Sequence, residues 1–253
     1  MFAKQEYVTR REKLKELLGD GLVLFLGNDE SGINFKHNTY PYRQDSSFIY
    51  FFGLQIPGLN AIMDLDENKE IVFGDNLSID DIVFTGPIES LEEQAQKVGV
   101  HVVNPANSLE GYVGDAIAKG RQIHYLPPYR PEHVLKLSEL FKLSATEVSK
   151  KISTNLIKAV VKLRSIKSTA EIEEIEKAVN TTVEMQYKAM EIAEAGMTEA
   201  DLFGAVQNIA MANGNNTSFP SIVTIDGQIL HNHYRGNLLK EGDMVPTRRS
   251  SDL

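Results

Sequence analysis

The stretch LKELLGDGLVLFLGN, residues 14–28, decides the fold. Leu14, Leu17 and Leu18 recur at the spacing that places side chains on one helical face, and Gly19 readily takes the left-handed backbone that ends a helix. Leu22-Val-Leu-Phe-Leu26 follows at once and shows no alternation. A strand with one wet face alternates apolar and polar residues, so a strand that is apolar throughout is covered on both faces. Helices must therefore lie on two sides of a sheet. Just upstream, Thr9-Arg-Arg-Glu12 has the spacing of a capping box and is expected to open the first helix.

Working outward, Phe48–Phe52, Ala61–Leu65 and Glu70–Phe73 read as strands. The last two are joined by the polar turn Asp66-Glu-Asn-Lys69, which suggests an antiparallel hairpin. Further strands are expected at Ile82–Thr85, Val100–Val103 and Gln122–Leu126, with helices near 89–98 and 107–119. This alternation predicts an α/β domain with a mixed sheet. The second region is mostly helical. Asn155–Leu163 reads as helix, and the capping box Ser168-Thr-Ala-Glu171 opens the longest one, with Ile172, Ile175, Val179, Val183 and Met190 on its apolar face. Thr198-Glu-Ala-Asp201 caps another, whose buried stripe is Leu202, Val206 and Ile209. A hairpin of Phe219–Ile225 and Gln228–Tyr234 is expected around Asp226-Gly227. The boundary between the regions falls within 145–165.

The 253 residues are 42% hydrophobic and 24% charged, a globular composition with enough chain for a large core. A net charge of −9 argues against nucleic-acid partners, which need clustered Lys and Arg. The absence of cysteine removes disulfides and thiolate chemistry and suits a reducing compartment. No segment approaches the roughly 20 apolar residues of a membrane span, and the charged start MFAKQEYVTRREKLKELL lacks the apolar core of a signal peptide. A cytoplasmic protein without membrane partners is expected.

Few residues carry obvious chemistry. On the expected strand Ile229, His231, His233 and Arg235 point one way, so the two imidazoles lie on one face. They could form a metal site, a substrate-contacting pair, or simply a solvated strand face. Metal ligation lacks company, because only Glu241, Asp243 and Asp252 follow, and the first two flank Gly242 in a tight turn. The tripeptide His-Asn-His is also found in nucleases, which the acidic balance disfavours. Arg43 and Asp45, within the polar Tyr40–Phe48 stretch, could bind an anion or make an interdomain contact, or form an ion pair in a surface loop. His37, His101, His124 and His133 are isolated and read as structural. No dinucleotide, phosphate-loop or nucleophile-elbow motif occurs.

Taken in order, these pieces resemble the aminopeptidase P (Xaa-Pro aminopeptidase) family of creatinase-like metallopeptidases. Arg43-Gln-Asp-Ser46 with Phe48, Tyr50 and Gly53 resembles the signature of that family's N-terminal domain. Leu163-Arg-Ser-Ile-Lys167-Ser168 with Glu171-Ile172 resembles the opening of its catalytic domain. Ala195–Glu199, Phe219-Pro-Ser221, Ile229-Leu-His231 and Glu241-Gly-Asp243 follow in the family's order. The resemblance implies an N-terminal domain over 1–155 and the start of a "pita-bread" catalytic domain, α+β in class and incomplete, over 156–245.

It also implies hydrolysis of the bond between an N-terminal residue and a following proline, with two divalent cations, usually manganese, activating water. Peptides with proline in second position are the implied partners, and a homo-oligomer through the N-terminal domain the implied assembly. A non-catalytic interaction module and a prolidase-like dipeptidase are the alternatives. His231 matches the histidine that stabilises the transition state, a catalytic role, and His233 is assigned to substrate binding. Neither is carried over as a metal ligand. The family's two aspartates, one histidine and two glutamates that bind metal all lie downstream of the Glu-Gly-Asp turn, and the place of the first is taken by Arg248. Residues 246–253, which also spell one reading frame of a common sequencing-library adaptor, are expected to be a non-native tail. The chain is then expected to be catalytically incomplete, and its second region weakly stable, with Ile172, Ile175 and Val179 facing water at roughly 25 cal/mol per Å².

Overall fold

The computed structural model describes residues 1–214, 216–245 and 247–248. They form two compact units, 1–166 and 167–253. The expected tail falls outside the described residues, apart from the backbone of Thr247 and Arg248.

The first unit contains α1 (Lys4–Leu18), β1 (Leu22–Leu26), β2 (Gly32–Phe35), β3 (Asn38–Thr39), α2 (Ser46–Phe52), β4 (Asn60–Asp64), β5 (Lys69–Phe73) and α3 (Ile79–Thr85). It continues with α4 (Leu91–Lys97), β6 (Val102–Asn104), α5 (Leu109–Ala118), β7 (Ile123–Tyr125), α6 (Pro131–Phe141), α7 (Ala145–Lys150) and α8 (Thr154–Ser165). Its five-stranded sheet has the order β6-β5-β4-β1-β7. β4 runs antiparallel to both β1 and β5, whereas β7 and β6 pair parallel on the outside. The sheet is mixed, and the hairpin over Asp66–Lys69 is present.

The doubly covered reading of residues 22–26 holds, since all five are buried. Val23, Phe25, Ala61, Met63 and Val72 face a core shared with α1, α2, α4 and α8. Leu22, Leu24, Leu26, Ile62, Ile71 and Phe73 face the other way, into α5, α6 and α7. The expected boundary at 155/156 falls inside α8. That helix buries Leu156, Ala159 and Val160 in the first unit's core.

Three local expectations are corrected. Phe48–Phe52 is not a strand but most of α2, because Phe48, Phe51 and Phe52 sit at helical spacing and are fully buried on one face. Asp45 caps it by accepting from Ser47 N and Phe48 N at 2.9 Å each, and Gly53 ends it at φ 66°. Ile82–Thr85 lies in α3, a helix closed by a Ser78–Asp81 capping box and burying none of its residues. Thr9–Glu12 opens nothing, since α1 begins at Lys4 and these residues are mid-helix. Arg11 is instead fully buried and donates to Phe51 O and Val98 O, both at 2.7 Å. These carbonyls end α2 and α4, where a cation complements the helix dipoles.

At the end of β4, Asp64 is fully buried against Arg121. Arg121 Nη1 donates to Asp64 Oδ2 at 2.9 Å, Nη2 to Oδ1, and Nε to Asp66 Oδ2 at 2.7 Å. Tyr112 OH and Glu67 N also donate to Asp64, at 2.7 and 3.0 Å. Burial pushes the Asp64 carboxyl up, but Arg121, Tyr112 and the Glu67 amide together hold it below the usual carboxylate range.

The second unit contains α9 (Thr169–Ile192), α10 (Glu199–Ala212), β8 (Ile222–Val223) and β9 (Thr247–Arg248). Both expected capping boxes, Ser168–Glu171 and Thr198–Asp201, are formed. α9 packs on α10 through Met185 and Ala189 against Leu202, Val206 and Ala210, so its buried stripe is not the one with the larger side chains. Ile172, Val179, Val183 and Met190 are exposed. Among the described residues no helix is long and apolar enough to cross a membrane.

Candidate active-site segment

The expected hairpin strand over 228–234 is replaced by turns and irregular backbone; β8 covers Ile222 and Val223 and pairs antiparallel with β9. Side chains explain the difference. Thr224 Oγ1 accepts from Asp226 N and from Asn232 Nδ2, both at 3.0 Å, and Asn232 Oδ1 accepts from Tyr234 N at 3.0 Å. Short polar side chains here bond to backbone that a strand ladder would have used. His231 and His233 flank Asn232 and are both exposed. The strand argument for their sharing one face therefore lapses; what links them is the tethered asparagine between them.

The base of this segment is tightly held. Glu199 N donates to Asn237 O, Ala200 N to Arg235 O and Leu239 N to Met197 O, at 3.1, 3.0 and 2.8 Å. Arg235 lies 3.8 Å from the ring centroid of Phe203 and donates to Ser221 O at 3.3 Å. Glu199 is fully buried, and its Oε1 accepts from Ile225 N at 2.7 Å and Asn237 Nδ2 at 3.0 Å. Sequence reasoning read the Thr198–Asp201 cap and placed Glu199 at the end of a family-like motif, but gave it no role. In the Glu241-Gly-Asp243 turn, Gly242 has φ 87° and Asp243 Oδ2 accepts from Lys240 N at 2.8 Å, a local turn interaction.

The Arg43–Ser46 stretch acts as a structural lock. Buried Gln44 accepts from Asn28 N at 2.6 Å and donates to Ile56 O at 2.9 Å. Nearby, at the carboxyl ends of β1 and β7, a cleft of about 350 Å³ is lined by residues including Leu126, Pro127, Pro128, Tyr129, His133 and Val160. His133 is buried with Nε2 3.0 Å from Gly27 O, and buried His124 has Nδ1 2.7 Å from Ser153 Oγ, so both have structural partners. Among the described residues no three His, Cys, Asp or Glu side chains converge to hold a metal ion. They do not fit a two-cation centre.

Residues 7–124, from α1 into β7, match the family model of the aminopeptidase P N-terminal domain. The chain carries an aminopeptidase P N-terminal domain. Xaa-Pro aminopeptidase 3 of Rattus norvegicus is 27% identical over 263 aligned positions, covering 95% of this chain and 51% of its own. The mitochondrial Intermediate cleaving peptidase 55 of Arabidopsis thaliana is 22% identical, covering 95% and 48%. The solved structure of Pseudomonas aeruginosa aminopeptidase PepP is 18% identical with a TM-score of 0.82, covering 100% of this chain and 59% of its own. That likeness extends past the aminopeptidase P N-terminal domain into the start of the catalytic domain. The chain spans about half the length of the curated relatives it matches.

Proposed function

We propose that this chain is the N-terminal part of a Xaa-Pro aminopeptidase, which releases an N-terminal residue adjoining proline. The observation that carries the reading is the aminopeptidase P N-terminal domain over 7–124, continued by homology through the segment that bears His231. In this reading the imidazole N–H of His231 donates to the negative charge that develops on the attacked carbonyl. His233 contacts the peptide. Both are exposed and accessible to substrate. The relatives' name and the implied chemistry point to peptides with proline second and to two divalent cations, manganese by resemblance. The described side chains offer no place for those ions. We assign their ligands to positions downstream of Asp243 and propose that this chain alone does not turn over peptide. The cytoplasm is the proposed compartment, supported by the lack of cysteine.

The 253-residue chain is incubated with an Ala-Pro peptide and millimolar manganese. No release of alanine is expected; turnover would overturn the assignment of the ligands. Extended by the metal-bearing strands, the chain should gain cation-dependent release that His231→Ala lowers about 100- to 1000-fold. Activity confined to dipeptides would favour the prolidase-like alternative.

A second reading, subunit contact through the N-terminal unit, is favoured by α3. Ile79, Val83 and Phe84 are 81, 77 and 90% exposed on one short helix. Apolar groups so placed mark association surfaces. Sedimentation of the whole chain should show a dimer or larger species that Phe84→Asp dissociates.

A further inference from the structure

We infer that Glu199 is the positioning residue of the histidine segment, holding the neck of residues 225–237 through its Oε1 acceptor. The role rests on the proposed function for its meaning, because His231 matters only if it faces a substrate. The clamp itself stands on geometry.

Glu199 reaches both sides of the segment. Ile225, whose N–H it accepts, precedes the histidines; Asn237, whose Nδ2 it accepts, follows them. Its own N–H donates to Asn237 O, so three bonds from one residue close the neck. Asn237 Nδ2 also donates to Asp226 Oδ2 at 3.0 Å, tying the neck to the first turn of the segment. Within the closed loop, the Thr224–Asn232 bond pins the residue between the two histidines, and Thr224 is itself buried. The histidines are exposed, yet each sits one residue from this tether.

An ordinary first-turn glutamate would satisfy the helix dipole while remaining in water, as Asp201 and other acidic residues in first turns can. Glu199 is 0% exposed. Burying a carboxylate is unfavourable unless hydrogen bonds replace its water, and the bonds that replace it here are the two that cross the neck, both on Oε1, while buried Oε2 has no hydrogen-bond partner among the described residues. Its burial is explained by the segment it closes rather than by the helix it begins.

Amide hydrogen exchange on the full 253-residue chain tests this, together with the imidazole C–H resonances of His231 and His233. Glu199→Ala is expected to speed exchange over 225–237 about tenfold while α9 and β1 keep their protection. The two imidazole pairs of resonances should collapse toward free-peptide positions. Glu199→Gln keeps the acceptor oxygen and should restore both readouts. Unchanged exchange over 225–237 in Glu199→Ala would overturn the inference. So would a uniform rise through α9 and α10, which marks only general stabilisation, or a failure of Glu199→Gln to restore the resonances. None of these readouts needs peptidase activity. A longer, metal-loaded chain that failed to cleave Xaa-Pro peptides would refute the proposed reaction and leave the clamp standing.

Discussion

Arg121→Met removes the cation from a carboxylate that has no access to water. Asp64 is fully buried, and the Arg121 side chain is only 16% exposed. The variant keeps the Tyr112 OH and Glu67 N bonds to Asp64 but loses both guanidinium donors. Breaking a buried pair from one side costs 3–5 kcal/mol in general, and the two surviving bonds place this case at about 3 kcal/mol. With a urea slope of about 2 kcal/mol/M, the midpoint of the first unit should fall by about 1.5 M. Urea titrations followed by tyrosine fluorescence and far-UV circular dichroism measure it.

The pH dependence carries a sign as well as a size. In the parent chain burial raises the Asp64 carboxyl, and the bonds led by Arg121 more than reverse that, so its folded value lies below the unfolded one. Such a group stabilises fully above the unfolded value of about 3.9, and the contribution is lost as pH falls through the lower folded value. Without Arg121 the carboxyl loses the largest of the interactions that oppose burial, so its folded value moves up and the stability it contributes at neutral pH shrinks. The gap between parent and variant should be widest at pH 7 and shrink toward pH 3.5. Asp64→Asn in the Arg121→Met background should recover much of the loss, because no charge is left buried. A midpoint shift below about 0.5 M, or an equal gap at both pH values, would refute the reasoning.

Asp45→Ala removes the acceptor for two free amides of α2 and should cost about 1 kcal/mol in a thermal melt, with Asp45→Asn near neutral. Gly53→Ala puts a Cβ 2.3 Å from the Tyr7 ring at φ 66°, whereas Gly19→Ala at φ 88° meets open space. The left-handed backbone alone should cost Gly53→Ala about 1–2 kcal/mol, and the contact with the Tyr7 ring should make its fall in melting temperature clearly larger than that strain accounts for. Phe84→Ser should change stability by less than about 0.5 kcal/mol, since the ring is 90% exposed, which makes any change in its sedimentation a report on association.

The layered fold was legible where one pattern admits one answer. A five-residue apolar run at 22–26 has no wet face in any register, so helices on both sides followed before any pairing was known. Phe48–Phe52 was not legible in the same way. Aromatic residues favour strands, and a run this short fits either period; the helix is decided by Asp45 and Gly53, which lie just outside it. On α9 the larger side chains at 172, 179, 183 and 190 mark an apolar face that stands exposed, as expected at 172 and 179, whereas Met185 and Ala189 are the residues that pack against α10. Small residues allow the close approach, and a hydrophobicity count undervalues them.

The histidine segment shows the same limit at the site itself. Alternation over Gln228–Tyr234 predicts two imidazoles on one face only if the backbone is extended. Extension requires a ladder partner, and the polar side chains at 224 and 232 supply bonds that need none. Glu199 is hidden for a related reason. Within Thr198-Glu-Ala-Asp201 the cap uses the first and last residues, and nothing local distinguishes a solvated glutamate from one that closes a loop more than 25 residues further on. Only the fold brings Ile225 and Asn237 to the same carboxylate oxygen. If that oxygen sets where the histidines stand, the geometry of the site is governed by a residue that neither its spacing from them nor its exposure would nominate.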